Sequence, residues 1–164
     1  MKVLVTGGTG FLGRRLVAEL AANHAVRLLV RSPAGRERFP AGVEFAAGDV
    51  TDRASLTAAA SGCQAIVHAA ALVKILAPER DFERINVGGM ENILAAAKTA
   101  GARVVYTSSF IALGPTENRV GRMASEEVAP SDRAWINPYE RTKTLADRIA
   151  RQAIAAGAPV NVVY

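Results

Sequence analysis

The chain has 164 residues, of which 50% are hydrophobic and 21% are charged, and this length and composition are typical of one globular domain with a single core. The formal charge is +5, but the basic residues are scattered singly or in pairs, which argues against a nucleic-acid surface and favours small anionic ligands. The single cysteine, Cys63, excludes an internal disulfide and a cysteine-rich metal site, and the lack of a long apolar run or signal-like segment predicts a soluble, cytoplasmic protein without a membrane partner.

Short apolar runs rich in β-branched residues alternate along the chain with longer segments in which apolar residues have helical spacing. Continuously apolar strands separated by helices predict a parallel sheet that is covered on both faces. The stretch 114–138 contains three prolines and is the only long segment that resembles a loop, which indicates a functional loop. The predicted order is strand 2–6, helix 11–22, strand 26–30, strand 43–45, helix 52–60, strand 65–70, helix 80–100, strand 103–109, helix 138–156 and strand 160–164.

Three glycines, Gly7, Gly10 and Gly13, recur at three-residue spacing between the first predicted strand and the first helix. Such a turn lets the backbone approach a pyrophosphate, and the helix that follows offers unpaired N–H groups and a partial positive charge. The spacing differs from the G-x-G-x-x-G form of the general fingerprint. We interpret the turn as a dinucleotide-binding site; the alternative is a turn that serves only close packing of the strand and helix.

The sequence TGGTGFLG at 6–13 resembles the nucleotide motif of the extended short-chain dehydrogenase/reductases, the group that includes sugar-nucleotide epimerases and dihydroflavonol-reductase-like enzymes. The resemblance implies a Rossmann fold, a doubly wound parallel α/β sheet in strand order 3-2-1-4-5-6, as one dinucleotide-binding domain over 1–164. In that family a C-terminal substrate domain normally follows, so we expect either a piece of a longer enzyme or a minimal nucleotide-binding domain. The further matching motifs, in the order of the family, are GDVTD at 48–52, HAAA at 68–71, INVGGMENIL at 85–94, YTSS at 106–109 and YERTK at 139–143.

The resemblance also implies which residues contact the cofactor. Asp49 and Val50 follow the third strand, where the family's pair contacts adenine; the alternative is an acidic first turn for the next helix. We predict that His68 is a satisfied core histidine and that Asn86 bonds backbone groups of a neighbouring strand. The predicted cofactor-binding residues are Gly7, Gly10, Phe11, Leu12, Gly13, Arg31, Asp49, Val50, Ala69, Ala70, Ala71, Ser108, Tyr139 and Lys143.

The choice of cofactor depends on the end of the second strand, where Arg31 stands. A Rossmann unit that binds NAD usually has Asp or Glu at this point for the ribose 2′-hydroxyl, whereas an arginine suits a 2′-phosphate. Arg14, or Arg36 and Arg38, would add charge-assisted hydrogen bonds. We therefore predict NADP(H), with NAD(H) as the alternative; a set of solvated surface arginines is the other interpretation.

Ser109, Tyr139 and Lys143 are the predicted catalytic residues. Tyr139 and Lys143 are four residues apart on a predicted helix, so they share a face, and the ammonium would favour ionisation of the phenol. Ser109 would hold the substrate oxygen at the end of the fifth strand. The resemblance implies that Lys143 also bonds the nicotinamide ribose, and that Ser108 contributes backbone or cofactor contacts. A Y-x-x-x-K spacing alone arises by chance in many helices, so the ordered motifs before it carry the assignment.

Together these residues predict an NADP(H)-dependent oxidoreductase that reduces a carbonyl or oxidises an alcohol on a small organic substrate. One alternative is a nucleotide-sugar epimerase with bound NAD, and another is a non-catalytic dinucleotide sensor or assembly subunit. Ser109-Phe110-Ile111 stands where the dehydratase branch has Thr-Asp-Glu, which disfavours dehydration. The expected partners are a small carbonyl, alcohol or nucleotide-sugar substrate and a second copy in a homodimer, formed through an apolar region beside the last strand.

Overall fold

The computed structural model describes residues 1–32, 35–74, 76–113 and 135–164. Within these ranges, six parallel strands form one sheet in the order β3-β2-β1-β4-β5-β6, so the predicted sheet and strand order are confirmed. The strands are β1 (Lys2–Thr6), β2 (Ala25–Val30), β3 (Glu44–Ala47), β4 (Ala65–His68), β5 (Arg103–Thr107) and β6 (Val160–Val163).

Helices connect the strands on both faces of the sheet. Asp52 caps α2 by accepting a hydrogen bond of 3.0 Å from the Ala54 amide, and Asn137 caps α5 by accepting one of 2.8 Å from the Glu140 amide. The helices are α1 (Phe11–Ala21), α2 (Arg53–Ala60), α3 (Glu79–Phe82), α4 (Gly88–Ala100) and α5 (Pro138–Ala155), with short 3₁₀ turns at Arg36–Arg38 and Phe110–Leu113.

The single helix predicted over 80–100 is interrupted by a π-helical turn at Glu83–Val87, between α3 and α4. A π turn adds one residue to the helical turn and is frequent at functional sites. Apolar periodicity does not report such a local insertion. The wide turn contains Asn86, whose side chain makes its hydrogen bonds to residues outside the helix.

The sheet is continuously apolar because each of its faces packs against helices. Successive residues of β1 point to opposite sides: Leu4 belongs to a large cluster with α2, α4 and α5, whereas Val3 and Val5 pack on the other side with Val17 of α1. All three β1 residues are almost fully buried. This alternation anchors β1 on both faces of the sheet, directly before the glycine turn.

The carboxyl ends of the strands lie along one edge, and the strand order reverses beside β1, between its neighbours β2 and β4. In open parallel sheets, ligands bind in the crevice at such a switch point. None of the helices in the described ranges is long and apolar enough to cross a membrane.

Candidate active site

A cleft of about 460 Å³ lies at the carboxyl ends of β1, β2 and β4, at the switch point of the sheet. Its volume is in the range of small-molecule and cofactor pockets, roughly 300–1,000 Å³. The predicted cofactor-binding residues on its lining are Gly7, Gly10, Arg31, Asp49, Val50, Ala69, Ala70 and Ala71. The remaining predicted residues, which are Phe11, Leu12, Gly13, Ser108, Tyr139 and Lys143, do not line this cleft.

The glycine turn forms one wall of the cleft and requires glycine for two different reasons. Gly7 has a φ of +73°, and a Cβ there would lie 2.5 Å from the Ala70 amide nitrogen, so a side chain would fill the space between the turn and the end of β4. Gly13 is buried in α1, and a Cβ there would collide with the Gly7 carbonyl oxygen. Gly7 therefore lets the turn lie directly against the backbone of Ala69 and Ala70, whereas Gly13 lets the helix pack closely against the turn.

The first turn of α1 follows Gly10 directly, which places the partial positive end of the helix beside the cleft. Phe11 is fully exposed and Leu12 is about half exposed on this turn. Their side chains therefore point away from the core and from the described cleft lining.

Asp49 and Val50 line the cleft beyond β3. The Asp49 carboxylate accepts a hydrogen bond of 2.9 Å from the Thr51 amide, which fixes the turn that leads into α2. Because Asp52 is the residue that caps α2, the helix does not need Asp49 for this purpose. Asp49 is therefore not the cap of α2, and its contact with the adenine stays a prediction.

Arg31 lines the cleft at the end of β2 and is exposed. Within the described ranges, the lining at this strand end consists of Leu29, Val30, Arg31 and Ser32 and has no carboxylate. The Arg36 guanidinium lies over the Phe45 ring, 4.8 Å from its centroid, and Arg14 Nε donates a hydrogen bond of 3.0 Å to the Thr9 carbonyl. Neither of these two arginines is part of the cleft lining.

The segment after β4 lines the opposite wall and is held by Asn86. Asn86 Oδ1 accepts a hydrogen bond of 2.7 Å from the Leu72 amide, and its Nδ2 donates to the Leu72 carbonyl and to Thr142 Oγ1, each at 3.1 Å. Asn86 therefore bonds backbone groups, as predicted, but the prediction that they belong to a strand is wrong, because Leu72 lies beyond the end of β4. Asn86 also connects this wall to α5, the helix that carries Tyr139 and Lys143.

His68 is fully buried at the end of β4, with its Nδ1 2.7 Å from Thr6 Oγ1 and its ring stacked on Tyr106 at 5.7 Å between centroids. Burial lowers the pKa of His68 to about 3, and the nearby Lys143 charge acts in the same direction. His68 is thus neutral at physiological pH, and the prediction of a satisfied core histidine is confirmed.

Tyr139 and Lys143 lie one turn apart on α5, and Tyr139 is half-buried whereas Lys143 is buried. Lys143 Nζ donates hydrogen bonds to the Tyr106 hydroxyl and the Thr107 carbonyl, both at 2.9 Å. Burial lowers the pKa of Lys143 to about 8, and the Asp147 carboxylate opposes this shift. In the described part of the chain, no hydrogen bond joins Lys143 to Tyr139.

The two serines after β5 have different environments. Ser108 Oγ donates a hydrogen bond of 2.6 Å to Asp147, which is fully buried and also accepts one of 2.7 Å from Arg151 Nε. Ser109 is half-buried and enters the 3₁₀ turn, where its Oγ accepts a hydrogen bond of 3.4 Å from the Ile111 amide. Ser108 therefore belongs to a hydrogen-bond network with Asp147 and Arg151 at the end of β5, and Ser109 is nearer the surface.

Sequence reasoning missed two members of this network, Tyr106 and Asp147. Tyr106 lies within the YTSS motif, and Asp147 follows Lys143 at i+4, a spacing that places both on one helix face. The motif and the i+4 spacing were the only features of the sequence considered above that point to these two residues. The long loop predicted at 114–138 lies mostly outside the described residues, which resume at Trp135. Among the residues that the structure describes, no group of His, Cys, Asp or Glu side chains is arranged to hold a metal ion.

The sequence matches the NAD dependent epimerase/dehydratase family over residues 3–164. The chain belongs to this family. A ketoreductase of Stigmatella aurantiaca that acts on 4-hydroxy-2-methyl-3-oxo-4-farnesyl-3,4-dihydroquinoline-1-oxide is 35% identical, in a match that covers 99% of this chain and 49% of the relative. A 3 beta-hydroxysteroid dehydrogenase/Delta 5-->4-isomerase of Mycobacterium tuberculosis is 36% identical, covering 90% and 41%, respectively.

Solved structures of family members have the same fold. The UDP-glucose 4-epimerase of Thermus thermophilus in complex with NAD is 26% identical, with a TM-score of 0.79, and the match covers 99% of this chain and 54% of that one. The chain spans about half the length of the curated relatives that it matches.

Proposed function

We propose that this chain is the NADP(H)-binding part of an oxidoreductase that reduces a carbonyl, or oxidises the corresponding alcohol, on a small organic substrate. The observation that carries the proposal is that one sheet edge has both the glycine-lined cleft and, at β5 and α5, Ser109, Tyr139 and Lys143. Relatives named as a ketoreductase and a hydroxysteroid dehydrogenase support this class of reaction.

The residues of the cleft fit a dinucleotide. Gly7 and Gly10 give the cleft a wall of bare backbone, and the N-terminus of α1 suits a pyrophosphate. Asp49 and Val50 would contact the adenine, and Ala69, Ala70 and Ala71 would give the cofactor a wall of small side chains. When bound, the reduced nicotinamide supplies the hydride.

Arg31 supports a preference for NADP(H), because a guanidinium at the end of β2 suits a 2′-phosphate, whereas NAD is usually held there by a carboxylate. The expected selectivity is modest, since a charge-assisted hydrogen bond contributes about 1.5–3 kcal/mol. Binding of NAD(H) is the alternative.

In the proposed reaction, Ser109 holds the substrate oxygen by a hydrogen bond, and Tyr139 donates its phenolic proton to that oxygen as the carbonyl carbon is reduced. In the reverse direction the Tyr139 phenolate accepts the proton of the alcohol. The positive charge of Lys143 stabilises the phenolate, and its ammonium would also bond the nicotinamide ribose. These residues bind, orient and transfer a proton without forming a covalent intermediate.

A nucleotide-sugar epimerase is the second candidate, and the family match and the epimerase structure favour it. An epimerase oxidises and re-reduces its substrate with a bound NAD, so Arg31 argues for the reductase. A dinucleotide sensor is the candidate from another class. A sensor does not require Ser109, Tyr139 and Lys143 together, so their joint presence favours an enzyme.

The experiment that tests the proposal is Tyr139→Phe in the full-length gene product, assayed with NADPH against ketones, aldehydes and nucleotide sugars. Because the substitution removes a proton donor and keeps the ring, we expect turnover to fall by a factor on the order of 10² to 10⁴ while cofactor affinity changes little. Tyr164→Phe, the same substitution beyond β6, is the control and should retain activity. Full activity of Tyr139→Phe would refute the mechanism, and cofactor binding by the wild type with no turnover of any substrate would favour the sensor.

A further inference from the structure

Tyr106 is the most buried large aromatic residue of the sheet, and its hydroxyl lies in a polar cluster at the end of β5. Burial raises the pKa of Tyr106 far above its ordinary value of 10, and the negative charge of Asp147 contributes to this shift. The side chain is therefore a neutral phenol throughout the physiological range. The reaction proposed above does not use it.

The Tyr106 hydroxyl has two polar partners, the Ser108 hydroxyl and the Lys143 ammonium. The Tyr106 hydroxyl is 2.9 Å from Lys143 Nζ, and Nζ also lies 4.6 Å from the centre of the Tyr106 ring. On its other side, the Tyr106 ring stacks on His68. Because His68 is itself held by Thr6, the tyrosine ring has little freedom to move.

An ammonium group has three N–H donors and no acceptor. In the described part of the chain, Lys143 gives one donor to Tyr106 and one to the Thr107 carbonyl. These two bonds fix the direction of the third donor. A lysine whose long, flexible side chain is held in this way loses less rotamer freedom when it binds a further group.

We propose that Tyr106 is a positioning residue for Lys143: its hydroxyl accepts one N–H of the ammonium and directs the remaining donor toward the cofactor ribose and Tyr139. This inference rests on the proposed function for the catalytic role of Lys143. It adds a residue that touches neither substrate nor cofactor and acts through the lysine.

Several other charged or titratable groups face this pair. Asp147 from α5 is the nearest carboxylate and favours the charged lysine, whereas neutral His68 from β4 contributes no charge. Tyr139 on α5 and Tyr164 beyond β6 also lie close enough to influence Tyr106. Removing the Tyr106 hydroxyl leaves all four of these groups in place and removes only the hydrogen bonds of that hydroxyl, to Lys143 and to Ser108.

The test is Tyr106→Phe in the full-length gene product, which keeps the ring over which the ammonium lies and keeps the stack on His68. The first measurement is the pH dependence of amine acylation at Lys143, followed by mass spectrometry in the absence of cofactor. The wild-type midpoint is expected near the Lys143 pKa of about 8. Since the hydroxyl accepts an N–H of the charged amine and stabilises this form more than the neutral one, the midpoint should fall by about one pH unit in Tyr106→Phe.

The second measurement separates kcat from KM for whichever substrate the enzyme reduces. We expect kcat to fall by roughly tenfold with little change in the substrate KM, because the hydroxyl acts on the proton-transfer machinery and does not contact the substrate. Thr99→Val, which removes an exposed hydroxyl on α4, is the control and should change neither the midpoint nor kcat. Thermal unfolding checks that both variants are folded.

The inference is overturned if the acylation midpoint of Lys143 in Tyr106→Phe is unchanged or raised, or if Thr99→Val lowers it equally. This readout requires neither cofactor nor turnover, so it decides the role of Tyr106 even if the oxidoreductase proposal fails. Conversely, a lowered midpoint in an enzyme whose Tyr139→Phe variant is fully active would support the positioning of Lys143 and refute the proposed chemistry.

Discussion

Gly13 shows how one residue without a side chain determines the geometry of the nucleotide turn. Its Cα faces Gly7 and Gly8, and an added Cβ would lie 2.6 Å from Gly8 Cα. We expect Gly13→Ala to lower the free energy of unfolding by about 1–3 kcal/mol, because α1 must move away from the turn. Gly88→Ala is the control, since its Cβ would meet its nearest atom, the Glu83 carbonyl oxygen, at 3.9 Å. Urea unfolding that gives the same stability for both variants would contradict the prediction.

His68 makes stability depend on pH. Its pKa is about 3 in the folded protein against an ordinary value of 6.5, so between these values the unfolded chain binds the additional proton. The contribution of His68 to the free energy of unfolding is therefore fully present well above pH 6.5. It decreases as the pH falls toward 3, by up to about 1.4 kcal/mol per pH unit.

His68→Asn removes the titrating ring and keeps an acceptor for Thr6. Between pH 6.5 and pH 5, the free energy of unfolding of the wild type should fall by about 2 kcal/mol more than that of the variant. Urea unfolding at a series of pH values measures the difference. Parallel pH profiles for the two proteins would show that His68 is not the responsible group.

Some site residues can be predicted from their position in the sequence, whereas others are defined only by contacts with distant parts of the chain. The positions of Gly7 and Arg31 at the cleft could be predicted because each residue follows the end of a strand, and both line the cleft. Tyr106 could not, because its role depends on the contact of its hydroxyl with Lys143, 37 residues later in the chain. Long-range side-chain contacts of this kind have no periodic signal in a sequence.

At the scale of elements, the strands were predictable because both faces of the sheet are covered, which makes most strand residues apolar. The ends of the strands were less predictable. β4 and β5 end at His68 and Thr107, each two residues before the predicted end. Beyond β4 the chain remains apolar but leaves the sheet, and the Ala70 amide bonds the Thr6 side chain. Composition alone does not distinguish such a segment from the strand before it.

Asn86 connects three elements: the π-helical turn, the segment after β4 and α5. Asn86→Ala leaves the Leu72 amide and carbonyl without their side-chain partners. We expect the free energy of unfolding to fall by about 2–4 kcal/mol, because each buried polar group left unpaired costs about 1–3 kcal/mol. Dinucleotide affinity should also fall, since Leu72 belongs to the cleft lining.

Asn161→Ala is the control for this substitution, because Asn161 is exposed on β6. Chemical denaturation and dinucleotide titration of both variants make the comparison. If Asn86→Ala is as stable as Asn161→Ala, the hydrogen bonds of Asn86 do not hold the wall of the cleft.

For the whole molecule, the strand order explains why residues far apart in the chain form one cleft. The chain crosses from β3 at one edge back to β4 beside β1, which brings Gly7, Arg31, Asp49 and Ala70 to one switch point. A ligand that binds across them couples several elements and stabilises only the folded state. Its affinity therefore appears in the stability of the entire domain.

This coupling gives a test of cofactor preference. A ligand at 100 times its Kd stabilises the folded state by about 2.7 kcal/mol, and a tenfold difference in Kd between two ligands in excess appears as about 1.4 kcal/mol. At equal saturating concentrations, we expect NADPH to stabilise the chain more than NADH by about this amount, because Arg31 pairs with the 2′-phosphate. Arg31→Ala should remove the difference. Arg103 is an exposed arginine at the amino end of β5, away from the cleft, so Arg103→Ala should preserve the difference. Greater stabilisation by NADH that persists in Arg31→Ala would instead assign the cleft to NAD and favour the epimerase.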